Sequence, residues 1–124
     1  MSKKLSPLQK AFNVAYRGLM SQGCRSMNDN GACKYRGPNG ARCAIGHMLP
    51  NRLYNVSMEH TTYKTLVQNF PSVKDYLYRK FGGMINDSDM RDLQNAHDRD
   101  DISLEDGLKQ FAFEKGLTVP KLSV

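Results

Sequence analysis

Proline and glycine cut this chain into segments too short for anything but a small packed fold. Ser6-Pro7, Gly23, Pro50, Pro71, Gly82-Gly83 and Gly116 each stop or start an element, and the longest stretches between them, 24–49 and 84–115, are divided again by Gly37-Pro38-Asn39-Gly40 and by Ser103. Within those stretches apolar residues recur at helical spacing. Leu8, Ala11, Phe12, Ala15 and Leu19 predict one amphipathic helix from Pro7 to near Gly23. Tyr63, Leu66, Val67 and Phe70 predict a second, and Val73, Tyr76, Leu77 and Phe81 a third. Met90, Leu93, Ala96 and His97, capped by Asp87 or Ser88, predict a fourth. A Ser103 to Asp106 capping box opens a last helix carrying Leu104, Leu108, Phe111 and Ala112.

One segment breaks the helical pattern. Residues 32–36, Ala-Cys-Lys-Tyr-Arg, alternate small or apolar with basic and run into Gly37-Pro38-Asn39-Gly40, a strong turn signal, before Ala41 to Cys43. A short β-hairpin is expected there, with Cys33 and Tyr35 on one side and Lys34 and Arg36 on the other. Ala44 to Leu49 reads as a helical turn closed by Pro50, with Leu53 and Tyr54 in a further short segment. The expected class is therefore α+β, mostly helical, with about five helices packed around one short hairpin. At 124 residues the chain is expected to form a single domain, 1–124, with the tail 118–124 loosely packed.

Charge is unevenly distributed. The net charge is +6, yet residues 1–52 carry nine Lys/Arg against one acid, whereas Met84 to Asp106 hold eight acids and two arginines. A basic half favours polyanionic partners: a nucleotide, a phosphorylated ligand or nucleic acid. The acidic segment opposes a continuous basic face, so nucleic acid is expected to bind weakly. No apolar run approaches the length of a membrane span, and Lys3 and Lys4 are followed by no apolar stretch of the secretory type, so the expected location is cytoplasmic, with no membrane partner. A homo-oligomer is compatible with these features.

The segment Cys33-Lys34-Tyr35-Arg36-Gly37-Pro38-Asn39-Gly40-Ala41-Arg42-Cys43-Ala44-Ile45-Gly46-His47 resembles a pattern of small phage- and prophage-encoded proteins. That pattern runs Cys-x-Tyr-Arg, a Gly-containing turn, then Cys-Ala-Val/Ile-Gly. Leu93-Gln94-Asn95-Ala96-His97-Asp98 is similar to the same family's Leu-Gln-x-x-His-Asp, and the matches extend to Gly116-Leu117. The chain departs from the pattern at Asn51-Arg52, where acids are usual, and at Leu104, where tryptophan is usual. The resemblance implies a phage context and a shared fold, and no settled reaction.

Within the motif, Arg36 and Arg42 flank a glycine turn whose backbone can approach a ligand, and arginine offers a planar fork of donors to phosphate. Tyr35 or Tyr54 could lie beside a base, and His47 and His97 complete the expected ligand-binding set. The structural alternative has Gly37 and Gly40 serving only the turn, with Arg36 paired to an acid such as Asp98. The expected function is a phage-type, non-enzymatic binding protein in the host cytosol, an anti-defence factor sequestering a nucleotide or other phosphorylated signal, with no cofactor. A second reading is a basic inhibitor that binds nucleic acid or a host defence protein. A third is an enzyme: Cys24, Cys33, Cys43 and His47 could hold zinc, or Cys43 could act as a nucleophile with His97 as base. The cysteine spacing is not a usual zinc pattern. Neighbouring helix positions diverge by about 100°, so Asp98 is not expected to hold the His97 ring.

Overall fold

The computed structural model describes residues 5–23, 34–37, 40–59, 61–99 and 101–121, and every regular element among them is helical. The helices are α1 (Pro7–Gln22), α2 (Tyr63–Asn69), α3 (Pro71–Phe81), α4 (Asp87–Asp98) and α5 (Leu104–Glu114), with 3-10 turns at Gly46–Met48 and Val56–Met58. Local chemistry sets their ends. The side chains of Ser6, Thr62, Asn86 and Ser103 each accept a hydrogen bond from the backbone N–H three residues on, satisfying one of the donors a helix leaves open. For α4 the cap is Asn86 rather than Asp87 or Ser88. That places Asp87 and Asp89 in the first turn, where the helix dipole favours negative charge. Gly23 and Gly82 close α1 and α3 in the left-handed conformation, which costs glycine nothing.

α1 is the hub. It packs against the 3-10 turn at 46–48, against α3 and against α5, while α4 lies between α5 and α2. The core is built from Phe12 and Leu19 of α1, Ile45, Met48 and Leu49 of the turn, Leu66, Phe81, Met90 and Leu93, and Leu108 of α5. Phe12 stacks on Phe111 at 5.7 Å between ring centroids, joining α1 to α5. The Gln9 side chain donates to the Thr118 carbonyl at 2.8 Å and accepts from the Thr118 N–H at 2.9 Å, so the first residue of the tail is tied to α1.

The expected hairpin is absent from the described residues, and the α+β assignment is corrected to all-helical. Residues 34–37 and 40–43 form no strand; a backbone bond from the Gly37 N–H to the Ala41 carbonyl, at 2.7 Å, joins the two pieces. The reason lies in where the other backbone groups go. The N–H groups of Tyr35 and Arg36 donate to the Glu59 carboxylate, and the N–H and carbonyl of Arg42 pair with the Gln22 side-chain amide. Two side chains thus satisfy the groups that a strand ladder would have paired. Cys33, Pro38 and Asn39, which belonged to the expected hairpin, lie outside the described residues.

Two helix-interior glycines mark close approaches. A Cβ on Gly18 would lie 2.5 Å from Nδ1 of the His47 ring, and one on Gly107 would lie 2.9 Å from the Ala96 carbonyl oxygen. In an open helix, replacing glycine by alanine stabilises by about 1 kcal/mol. At Gly107 the obstacle is backbone of α4, so the sign reverses. Gly107→Ala should lower stability by about 1–3 kcal/mol through overpacking, measured as a fall in Tm; an unchanged or raised Tm would mean that α4 and α5 are not in this contact.

Candidate functional site

The motif residues converge on one acid. Glu59 is the only carboxylate between Asp29 and Asp75, and it is buried. Its Oε1 accepts from the Tyr35 N–H at 2.9 Å, and its Oε2 from the Arg36 N–H at 3.0 Å and the Tyr54 hydroxyl at 2.6 Å. Burial pushes the Tyr54 phenol up to about 12, reinforced by its hydrogen bond to Glu59.

Arg36 works on the other side of this junction. Its guanidinium donates to the carbonyls of Gly46 and Leu49, both at 2.8 Å, and lies 4.8 Å over the Tyr54 ring. It therefore caps the end of the 46–48 turn, adding to the Leu49 N–H bond on the Gly46 carbonyl. Burial is the main reason its acidity rises, with Arg42 adding to it. Asn51 bridges the two arginines: its Oδ1 accepts from Arg42 at 2.9 Å and from Arg36 at 3.3 Å. Asp98, the suggested partner of Arg36, lies elsewhere. Gly46 completes the junction, since a Cβ there would overlap the Tyr35 carbonyl.

Of the two candidate histidines, His97 is buried and His47 half-buried. His97 is fully buried and its Nδ1 lies 2.7 Å from Asp98 Oδ1. A carboxylate only accepts, so Nδ1 carries the hydrogen. The expectation that Asp98 could not hold this ring is overturned: Nδ1 and Oδ1 both sit close to their own backbones, and the short arms of these adjacent residues meet. His47 rests on Gly18 of α1, and its Nε2 is buried without a hydrogen-bond partner among the described residues. Burial, then the charges of Arg42 and Arg36 and the neighbouring His97, depress it to about 4. Cys43 is buried, and its sulfur accepts from the Gly46 N–H at 3.4 Å. Cys24 and Cys33 lie outside the described residues, among which no three His, Cys, Asp or Glu side chains are placed to hold a metal ion.

Beside this junction opens a cavity of about 270 Å³. One wall is Tyr35, Ile45, Glu59 and the Thr61–Tyr63 segment; the other is the α4 stripe Arg91, Gln94, Asn95 and Asp98. Tyr35 spans the two features: its N–H holds Glu59 and its hydroxyl donates to the Thr61 carbonyl at 2.6 Å. Gln94 ties α4 to the turn, accepting from the Ile45 N–H at 3.3 Å and donating to Asp98 at 3.3 Å. The side chains of Arg91 and Asn95 have no hydrogen-bond or ion-pair partner among the described residues.

Of the six expected ligand residues, the structure places Tyr35 on the cavity wall, Arg36 and Tyr54 in the Glu59 junction, Arg42 on Asn51, His47 half-buried against Gly18, and His97 in the interior. Sequence reasoning did not single out Glu59, Arg91 or Asn95. A lone acid in a basic half was the available signal for Glu59. The i, i+3, i+4, i+7 polar stripe of α4 was visible too, but such stripes usually face water.

The half-buried His47, with its pKa depressed, makes stability pH-dependent. In the unfolded chain it binds a proton near 6.5, and in the fold only near 4. Its contribution is complete above pH 6.5, declines as pH falls toward about 4 and changes no further below that. Tm measured across this range should fall more steeply for the wild type than for His47→Leu; parallel curves would contradict the assignment. No family model, curated protein or solved structure matches this chain.

Proposed function

We propose that the chain is a non-enzymatic binding protein that sequesters a small nucleotide-class ligand in the cavity between α4 and the Tyr35–Tyr63 wall. The carrying observation is that two polar side chains without a partner among the described residues, Arg91 and Asn95, stand beside Asp98, which already accepts from His97 and Gln94, on a half-open cavity with tyrosine walls. Arg91 offers a free guanidinium at one end of the α4 stripe, and Asp98 an acceptor about 10 Å away at the other, with the Asn95 amide between. Tyr35, Ile45 and Tyr63 supply apolar walls for a flat ring. A volume of about 270 Å³ lies at the small end of ligand pockets, which suits one mononucleotide-sized molecule. In this reading the phosphate lies on Arg91 and the base edge meets Asn95 and Asp98. Arg36 and Arg42, engaged on carbonyls and Asn51, hold the wall in place.

With the resemblance to phage-encoded proteins, this supports an anti-defence role in the host cytosol, removing a signal nucleotide by binding rather than by turnover. Calorimetric titration with cyclic and linear mononucleotides, nucleosides and inorganic phosphate tests it. A nucleotide should bind the wild type. Arg91→Ala should lose about 1.5–3 kcal/mol, one to two decades of affinity, with Tm unchanged because Arg91 is exposed. Equal binding by Arg91→Ala would place the ligand elsewhere, and conversion of the nucleotide to product, seen by chromatography, would make the protein an enzyme.

A further inference from the structure

The ion pairs that the acids of residues 89–105 make among the described residues stay within the C-terminal segment. Among the described residues, Asp89 and Asp92 pair with Lys115, Asp101 with Arg99, and Glu105 with Lys109, all within residues 89–115. No ion pair between described residues crosses to the first 85. Those described before Asn86 hold ten Lys/Arg and two acids, Glu59 and Asp75; Glu59 is buried and satisfied by the junction. The molecule is bipolar, with a basic field left over for a partner.

On the basic side one surface is organised rather than diffuse. Arg52 lies with its guanidinium carbon 5.3 Å from the Tyr76 ring centroid. Lys80 lies 5.6 Å from the same centroid and donates to the Tyr76 hydroxyl at 3.4 Å. Arg79 stands beside them, contacting Asp75 through a solvent-exposed 3.4 Å pair that leaves most of its fork unused. Arg52, Leu53, Ser72, Asp75, Tyr76 and Arg79 line a depression of about 310 Å³ between the 50–55 loop and α3. An arginine held against an aromatic ring offers a flat, exposed plane on which a base can stack, with neighbouring cations for the backbone. Leu53 is the only aliphatic side chain lining the depression, so it lacks the apolar anchor pocket on which protein interfaces depend.

We infer that this face docks single-stranded nucleic acid, with phosphates on Arg52, Arg79 and Lys80 and a base stacked on the Arg52 guanidinium. The inference is independent of the α4 cavity. Fluorescence anisotropy with a labelled single-stranded oligonucleotide of about 12 nucleotides, between about 50 and 200 mM salt, tests it. The wild type should bind with a steep salt dependence and prefer the single strand to a duplex of equal length. Arg52→Ala should weaken binding about tenfold and reduce the log–log salt slope by about 0.7, one phosphate contact. Arg52→Lys keeps the charge and loses the plane, so it should keep the slope and still lose affinity. Arg17→Ala, an exposed α1 cation outside the patch, should change affinity less than about twofold. Tm values for each variant confirm folding. Absence of binding at low salt, equal losses from Arg17→Ala and Arg52→Ala, full affinity in Arg52→Lys, a preference for duplex, or equally tight binding of polyglutamate would each overturn the proposal.

Discussion

The fold turns on one carboxylate meeting two backbone amides. Glu59, arriving after the short 3-10 turn at Val56–Met58, accepts from Tyr35 and Arg36 and so fixes a segment with no strand partner. Each such bond to a charged acceptor contributes about 1.5–3 kcal/mol, and leaving a buried amide unpaired costs a comparable amount. With its N–H anchored, Arg36 aims its side chain at the carbonyls that end the 46–48 turn, while Tyr35 turns its ring into the core. The turn in turn rests on α1 through His47 and Gly18. Removing Glu59 would release the loop, the turn and the cavity wall together.

The helices were legible because what makes them is local. Ser6, Pro7, Gly23, Ser103 and the spacing of Leu104, Leu108 and Phe111 act within a few residues, and each helix forms where that pattern lies. The hairpin was misread because its competitors are distant. Glu59 stands 24 residues from Tyr35 and Gln22 stands 20 from Arg42, and nothing in residues 32–43 reveals that those side chains will take the ladder positions. The same applies to the site. Arg36 beside glycines looks like a phosphate fork until the carbonyls of Gly46 and Leu49 are brought to it. The rule that adjacent helix residues diverge describes Cβ directions, not the reach of Nδ1 and Oδ1 near the backbone, which is why His97 and Asp98 meet.

Two surfaces follow from this architecture, and they differ in kind. The α4 cavity is half open, walled by tyrosines and mixed in charge, with Glu59 and Asp98 opposing Arg91, and is the site proposed for a small ligand. The α3 face is open and cationic, and suits a chain of phosphates. Among the described residues Lys115, Arg99 and Lys109 pair with neighbouring acids of the C-terminal segment, while Arg79 pairs with Asp75 within α3.

Native-state hydrogen exchange at the amides of Tyr35 and Arg36 reaches the central interaction directly. In the wild type both should exchange only through global unfolding, as slowly as core helix amides such as that of Leu108. In Glu59→Gln, which keeps the shape and removes the charge, their protection should fall well below that of Leu108. Rapid exchange of both amides in the wild type, or protection unchanged in Glu59→Gln, would contradict the account.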